Sequence, residues 1–289
     1  MTETGYFNSK ANKLFYVCTP PHKRKEGAGI IFVHAANGNR LGPHRMFVEL
    51  AQRVCLLGFA TMRFDLRGCG DSTGLASRDQ IGPDIEDLLS ALEFFVLRYN
   101  LKKTFLFGIS RGAWVSFATI AKNTVDVCGV VCLSAPSPSR KAAAKSFSNR
   151  LKEYLCKLTD SENLKKLLTG KANIKQIVKT MTFALSTNRR YSQGQNKDVE
   201  TKCPLLFIYG QKDPTAPNHR FFYSNICNKF KIPYEIIEIQ NANHSFFHYK
   251  WKEQIFEHVE KWLMENLRDG ETEDAKSFLQ SWSDTKHLL

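Results

Sequence analysis

The stretch Gly108-Ile109-Ser110-Arg111-Gly112 decides the fold, because it joins an apolar run at residues 104–107 to a helix-length periodic segment at 111–122. A G-x-S-x-G sequence between a strand and a helix is the context of a nucleophile elbow, a turn so sharp that the serine adopts strained backbone angles. The flanking glycines let strand and helix approach closely, and the positive pole of the helix lies beneath the serine. An ordinary glycine-rich turn is the less favoured alternative, and Ser110 is the predicted nucleophile.

Strand-length apolar runs alternate with helix-length periodic segments on both sides of this turn, which predicts an α/β fold with a mostly parallel central sheet flanked by helices. The run at 29–34 is apolar without alternation, as expected for a buried parallel strand. We predict long strands at 29–34, 59–64, 104–107, 127–133, 204–209 and 234–239, and helices at 44–57, 84–99, 111–122, 217–230 and 250–267. Two short leading strands, around 5–8 and at 13–18, are expected to be antiparallel.

The strand–helix rhythm stops at residues 138–202, which carry several helical patterns and no strand-like run. We therefore predict a core of residues 1–137 and 203–268, a helical cap insertion at 138–202 and a C-terminal tail at 269–289. Residues 139–202 hold 15 Lys plus Arg against 5 Asp plus Glu, most of the net charge of +13. This charge is either a solvated helical surface or a positive field for an anionic substrate, a phosphorylated carrier or an acidic membrane surface.

A serine nucleophile needs a base, and the base needs an orienting acid, in the chain order Ser, acid, His. Asp213 follows the predicted strand at 204–209, and His244 follows the one at 234–239. Because parallel strands end at the same edge, both loops should lie on the Ser110 side of the sheet. The alternative acid station, after the strand at 127–133, reads Ser134-Ala135-Pro136 and has no carboxylate. We predict the catalytic triad Ser110, Asp213 and His244.

The remaining histidines fit a catalytic role less well. They lie in an N-terminal turn or in and beside predicted helices, and we expect surface or packing roles for His22, His219, His248 and His258.

Acyl transfer also needs hydrogen-bond donors for the oxyanion that develops in the transition state. One predicted donor is the backbone N–H of Arg111, the residue after the nucleophile. The second is the backbone N–H of Ala36, with Ala35 or Asn37 as alternatives, in the turn after the strand at 29–34. His34 is expected to anchor that turn rather than to act as a base.

The turn His34-Ala35-Ala36 and the run Arg63-Phe-Asp-Leu-Arg-Gly-Cys-Gly-Asp-Ser72 resemble the corresponding parts of α/β-hydrolases, with their D-x-R-G-x-G-x-S loop. With the elbow and the acid and histidine loops, the resemblance covers about residues 28–265 and implies the α/β-hydrolase fold. It also implies a structural role for the loop of Asp65, Arg67 and Asp71. The stretches 40–45 and 166–171 are similar to hydrolases encoded beside bacterial exosortase systems.

Two positions depart from the common pattern of this family. The oxyanion turn has His-Ala-Ala in place of His-Gly-x, which leaves the second donor open. Arg111 follows the nucleophile where many esterases have a smaller or apolar residue, and it is expected to make the pocket more positive.

Together these features predict a serine hydrolase that cleaves a carboxylic ester or thioester through an acyl-enzyme. A serine at position 110 disfavours dehalogenase chemistry, which needs a carboxylate there. No metal or organic cofactor is implied, and the expected partner is a small-molecule acyl ester or thioester. An acyltransferase with the same triad and a non-catalytic binding protein of the same fold are the alternatives. Net charge without a recognised motif does not indicate specific nucleic-acid binding.

Composition agrees with a globular protein, at 43% hydrophobic and 24% charged residues. No apolar run approaches the roughly 18–20 residues of a membrane span. The N-terminus has neither the basic nor the apolar region of a secretory signal, so we expect a cytoplasmic protein. The eight cysteines form no C-x-x-C pair, which favours reduced thiols over disulfides or a metal site.

Overall fold

A computed structural model describes residues 2–22, 27–76, 80–121, 126–137, 199 and 201–267. The predicted cap insertion at 138–202, apart from residues 199, 201 and 202, lies outside the described residues, as does the predicted tail at 269–289.

Eight strands form one sheet in the order β1-β2-β4-β3-β5-β6-β7-β8. They are β1 (Glu3–Ser9), β2 (Asn12–Thr19), β3 (Ala28–Val33), β4 (Ala60–Phe64), β5 (Lys103–Ile109), β6 (Gly129–Leu133), β7 (Leu205–Gly210) and β8 (Tyr234–Ile239). The pairs β1–β2 and β2–β4 are antiparallel, and all other neighbours are parallel. The predicted mostly parallel sheet with an antiparallel leading pair is confirmed. The prediction that the leading strands are short is wrong, because β1 has seven residues and β2 has eight.

Five described α-helices cover the two faces of the sheet: α1 (Met46–Leu56), α2 (Gly82–Tyr99), α3 (Arg111–Ile120), α4 (Ala216–Phe230) and α5 (Tyr249–Leu267). One apolar core lies between the sheet and α2, α3 and α4, and the other lies between the sheet and α1 and α5. All six residues of β3 are buried, as expected for a strand covered on both faces. None of the described helices is long and apolar enough to cross a membrane.

The predicted helix at 44–57 is wrong at its start, because the α-helix begins at Met46. A short 3₁₀ turn, Pro43–Arg45, precedes it, and His44 and Arg45 both have left-handed backbone angles with φ of 50° and 61°. The tight turn is closed by a hydrogen bond from the Phe47 N–H to the Leu41 carbonyl, 3.1 Å. Apolar periodicity cannot detect such a kink, since the kink leaves the buried positions of α1 unchanged.

Candidate active site

Ser110 lies at the sharp turn between β5 and α3. Its backbone angles, φ 52° and ψ −118°, are strongly disfavoured for a residue with a side chain. A Cβ on Gly108 would lie 2.5 Å from the Ala113 Cα, and one on Gly112 would lie 2.1 Å from the Val33 carbonyl oxygen. Only glycine therefore permits the close approach of α3 to β5 and β3 that forces the turn. The strained geometry predicted for a nucleophile elbow is present at Ser110.

Asp213 lies in the loop after β7 and is buried. Its Oδ1 accepts hydrogen bonds from the Thr215 N–H at 2.9 Å and the Thr215 hydroxyl at 2.7 Å. Its Oδ2 lies 2.6 Å from Nδ1 of His244. Burial alone would raise the pKa of the Asp213 carboxyl, but His244 and the two Thr215 donors together lower it to about 2. Asp213 is therefore a carboxylate at neutral pH, able to orient an imidazole.

His244 lies in the loop after β8, with its side chain 44% exposed. Pairing of Nδ1 with Asp213 makes Nδ1 the protonated nitrogen of the neutral ring, so that Nε2 is free to accept a proton. The His244 carbonyl accepts a hydrogen bond of 3.1 Å from the Ser134 hydroxyl. The loop is further closed by Asn243 Oδ1, which accepts the N–H groups of Ser245 and Phe246.

The structure brings two of the three predicted triad residues, Asp213 and His244, into direct contact. Ser110 lies at the same sheet edge, and the end of β6 connects the two parts: the Ser110 N–H donates to the Leu133 carbonyl at 2.8 Å, and the next residue, Ser134, holds His244. Within the described ranges, no hydrogen bond joins the Ser110 hydroxyl directly to His244. Contacts of this kind are often long without substrate and tighten in the reacting complex, so the triad remains a prediction.

His34 holds the turn that is predicted to supply the second oxyanion donor. Its Nε2 accepts the Leu66 N–H at 3.0 Å, and its Nδ1 lies 2.7 Å from the Ala35 carbonyl, which fixes a neutral ring with the proton on Nδ1. Burial lowers the pKa of His34, although the bond to the carbonyl opposes the shift. The ring is therefore an anchor between β3 and the loop after β4, as expected, and Ala36 is exposed on the turn.

The backbone N–H of Arg111, a predicted oxyanion donor, lies at the start of α3, and its side chain is buried and turned toward α2. The guanidinium donates to Asp84 Oδ2 and to the Gln80 carbonyl, both at 2.6 Å. The positive charge expected from this residue is thus balanced by Asp84. Arg111, Asp84, Ala36 and His34 line a cavity of about 40 Å³, enough for a water molecule or a small group.

The loop after β4 is a charged network rather than a reactive centre. Asp65 is fully buried and forms an ion pair with Arg40, and it accepts the Asp71 N–H at 3.0 Å. Arg67 forms a bifurcated ion pair with the buried Asp87, with a shortest contact of 2.7 Å. These contacts tie the loop to the first turn after β3 and to α2, in line with the structural role that the family resemblance implies.

His219, expected to have a surface or packing role, is buried on the first turn of α4 beside the Asp213–His244 pair. Its Nδ1 accepts the Ser137 N–H at 2.9 Å. Burial lowers the pKa of His219 to about 4; the charge of Asp213 opposes this shift, and His244 adds to it. The sequence analysis missed the hydrogen bond between Ser137 and His219 and the one between Ser134 and His244. Both are made by residues that follow β6, and the only signal read from that stretch of sequence was its lack of a carboxylate.

The fold, the strained Ser110 and the neighbouring acid and histidine loops together define an α/β serine hydrolase. Residues 39–248 match the family described as serine aminopeptidase, S33, and the chain belongs to that family.

Sequence relatives and solved structures agree with this class. The chain is 24% identical over 190 residues to lysophosphatidylserine lipase ABHD12 of Rattus norvegicus, a match that covers 66% of this chain and 42% of the relative. The chain thus spans less than half the length of that relative. An esterase of Pyrococcus furiosus has a TM-score of 0.61 at 18% identity, with 90% of this chain and 91% of that one covered. A proline iminopeptidase of Mycobacterium smegmatis has a TM-score of 0.61 at 13% identity, with 91% and 98% covered.

At these identities the solved structures show the shared fold alone. The similarity to exosortase-associated hydrolases receives no support from the matches and stays a prediction.

Proposed function

We propose that the chain hydrolyses a carboxylic ester or thioester with Ser110 as nucleophile, His244 as base and Asp213 as orienting acid. The observation that carries this proposal is the strained Ser110 at the elbow on the same sheet edge as a hydrogen-bonded Asp213–His244 pair. A residue held in so unfavourable a backbone conformation is typical of a functional site.

In the proposed reaction, the Ser110 hydroxyl oxygen attacks the acyl carbonyl while Nε2 of His244 takes the hydroxyl proton. The N–H groups of Arg111 and Ala36 stabilise the oxyanion of the tetrahedral intermediate. The intermediate collapses when His244 passes the proton to the departing alkoxide or thiolate, and an acyl-serine remains. Water, deprotonated by His244, then attacks the acyl-serine and releases a carboxylate and free Ser110. Asp213 stays ionised and stabilises the charged imidazole in both halves.

The family description raises aminopeptidase activity as a second candidate, which requires a carboxylate free to bind the substrate ammonium group. In the described part of the site, the three nearby acids all lie in ion pairs: Asp84 pairs with Arg111, and Asp65 and Asp71 share the guanidinium of Arg40. This arrangement favours an ester or thioester substrate over a peptide amine. The activity named for one sequence relative, a lysophosphatidylserine lipase, points the same way.

Labelling with a fluorophosphonate probe tests the proposal directly, because the probe reacts only with an activated serine. We expect the wild-type chain to be labelled, Ser110→Ala to be unlabelled, and Ser245→Ala, which removes an exposed hydroxyl beside His244, to be labelled normally. Asp213→Asn should slow labelling and turnover by about 10⁴-fold, because the acid no longer holds the reactive tautomer of His244. A folded wild-type chain that is not labelled would favour the alternative of a non-catalytic binding protein.

Substrate panels then separate the remaining possibilities. p-Nitrophenyl esters, acyl-coenzyme A thioesters and aminoacyl-p-nitroanilides distinguish esterase, thioesterase and aminopeptidase activity. Product analysis with added alcohols or amines reports acyl transfer: an acylated acceptor in place of free acid would establish the acyltransferase alternative. An aminoacyl-p-nitroanilide hydrolysed faster than every ester would contradict the proposed substrate class.

A further inference from the structure

The chain directly after His244 runs along the surface with an unusual content of exposed aromatic residues. Residues 247–250 are all exposed, and the side chains of Phe247 and Tyr249 are 56% and 62% exposed. Phe246, immediately before them, is fully buried and has φ of 47°, so that its ring anchors the segment in the core while the backbone turns outward. Large apolar side chains grouped at a surface mark an interaction site more often than isolated ones do.

These rings contact one another rather than pointing separately into solvent. Phe247 and Trp251 meet edge to face with ring centroids 5.2 Å apart, and His248 lies 4.8 Å from Tyr249 and 5.4 Å from Trp251. We refer to Phe247, His248, Tyr249 and Trp251 as the aromatic rim. Because the four rings are packed together at the start of α5, the rim is an ordered surface that loses little conformational entropy when it binds.

The rim is flanked by positive charge. Lys252 forms an ion pair with Glu49 at 2.6 Å and reaches the His44 carbonyl at 3.3 Å, which places the start of α1 beside the start of α5. Arg45, in the strained turn before α1, and Lys250, within the rim segment, are exposed. Neither forms an ion pair with another described residue, whereas the nearby Glu253 is paired with Arg53. The flank therefore presents uncompensated cations.

Aromatic side chains with a polar edge, set among lysine and arginine, are the composition that favours the interface of an anionic membrane. We propose that the aromatic rim with Arg45 and Lys250 docks the chain on an anionic phospholipid surface and so brings the His244 edge of the sheet to that surface. Charge complementarity selects this occupant over a second copy of the chain, because two copies paired through this surface would bring the exposed cations Arg45 and Lys250 of each copy together.

The test measures binding of the full chain to vesicles by flotation. It uses Ser110→Ala, so that binding is recorded apart from the proposed chemistry, and either proposal can fail alone. Vesicles of phosphatidylcholine with about one-third phosphatidylserine should bind the chain, and pure phosphatidylcholine should bind it far more weakly. Binding should weaken as salt is raised, since surface charges are screened.

Paired variants locate the binding surface. In the Ser110→Ala background, Phe247→Ser with Tyr249→Ser should lower the partition coefficient about tenfold or more, and Lys250→Ala about fivefold. The matched controls are Leu97→Ser with Phe221→Ser, two residues 75% and 71% exposed on α2 and α4, and Lys261→Ala on the outer part of α5. The controls should bind like the parent, and circular dichroism should show that every variant is folded.

Three results would overturn the proposal. The first is that the Ser110→Ala parent, with its rim unchanged, binds neither kind of vesicle. The second is an equal loss of binding in the rim variants and the control variants. The third is a dimer, seen by light scattering without vesicles, that the Phe247→Ser and Tyr249→Ser changes dissociate, since the rim would then be a contact between copies of the chain.

Discussion

The two halves of the candidate site are held by different means. On the Ser110 side, main-chain packing fixes the geometry. Glycines at 108 and 112 let α3 pack against β5 and β3, and Ser110 itself has the strained backbone angles. On the Asp213–His244 side, side-chain hydrogen bonds from Thr215 and Ser134 position two loops. A backbone contact cannot yield by rotating a side chain, whereas a set of hydrogen bonds can weaken one at a time. We therefore expect a substitution on the Ser110 side to disrupt the local structure completely. Substitutions on the Asp213–His244 side should cause graded losses of stability or activity that depend on pH.

Gly112→Ala, on the Ser110 side, is expected to have the largest effect of the substitutions that test this comparison. Its Cβ would lie 2.1 Å from the Val33 carbonyl oxygen and 2.6 Å from that of His34, so α3 would have to move away from the sheet. We expect the free energy of unfolding to fall by about 3 kcal/mol or more. Urea denaturation followed by circular dichroism measures it.

Gly82→Ala is the matched control, because nothing lies within 4 Å of the added Cβ at the start of α2. Its free energy of unfolding should change by less than about 1 kcal/mol. Equal effects of the two alanines would show that close packing does not hold the elbow.

The second prediction concerns pH and the other half of the site. His219 has a pKa of about 4 when folded and an ordinary value near 6.5 when unfolded. Between these values the unfolded chain binds the proton more readily than the folded chain does. The contribution of neutral His219 to the free energy of unfolding is therefore fully present above pH 6.5, and about 2–3 kcal/mol is lost as the pH falls toward 4. His219→Asn can keep an acceptor for the Ser137 N–H without titrating, so its stability should fall less steeply than that of the wild type over that range. The slope that remains comes from other groups, such as the buried His34, whose pKa burial also lowers.

Denaturation curves at half-unit pH steps provide the measurement. The depressed pKa of Asp213 makes its contribution at a lower pH: that stabilisation is present above the usual aspartate value and is lost as the pH falls toward 2. The two groups therefore occupy separate pH windows. If the free energy of unfolding of His219→Asn falls between pH 6.5 and 4 as steeply as that of the wild type, His219 is not the cause of the pH dependence.

The smallest expected effect belongs to Ser134, whose hydroxyl holds the His244 carbonyl. Loss of one hydrogen bond of ordinary strength in Ser134→Ala should lower kcat about 3- to 10-fold with little change in KM, since only the placement of the base is affected. Ser134 has φ of 47°, so Ser134→Gly should lose the same activity while losing less stability than the alanine variant.

Steady-state kinetics on the best ester of the substrate panel, with Ser245→Ala as control, provide the comparison. An unchanged kcat in both Ser134 variants would show that the Asp213 contact alone positions His244.

Local patterns in the sequence were enough for the frame of the molecule. Among the described residues, apolar runs predicted the six parallel strands β3 to β8 and their order along the chain, because burial on both faces of a parallel sheet leaves few polar positions. The elbow was predictable from five residues, since glycine is required where backbone segments nearly touch. Asp213 and His244 could be selected because parallel strands deliver their following loops to one edge.

Tertiary structure alone decided the contacts between residues distant in the chain. Nothing in the local sequence indicates that Arg111 turns its charge toward Asp84, that Ser134 holds His244, or that His219 is buried beside the acid–base pair. The contacts of Lys252 with Glu49 and with the His44 carbonyl likewise depend on how α1 and α5 pack together. Periodicity reports which face of an element is buried, whereas these pairings depend on which elements become neighbours and at what distance. Sequence by itself thus determined the sheet and the loops in which its candidate catalytic residues lie. Tertiary packing decided which other side chains form hydrogen bonds and ion pairs with those residues.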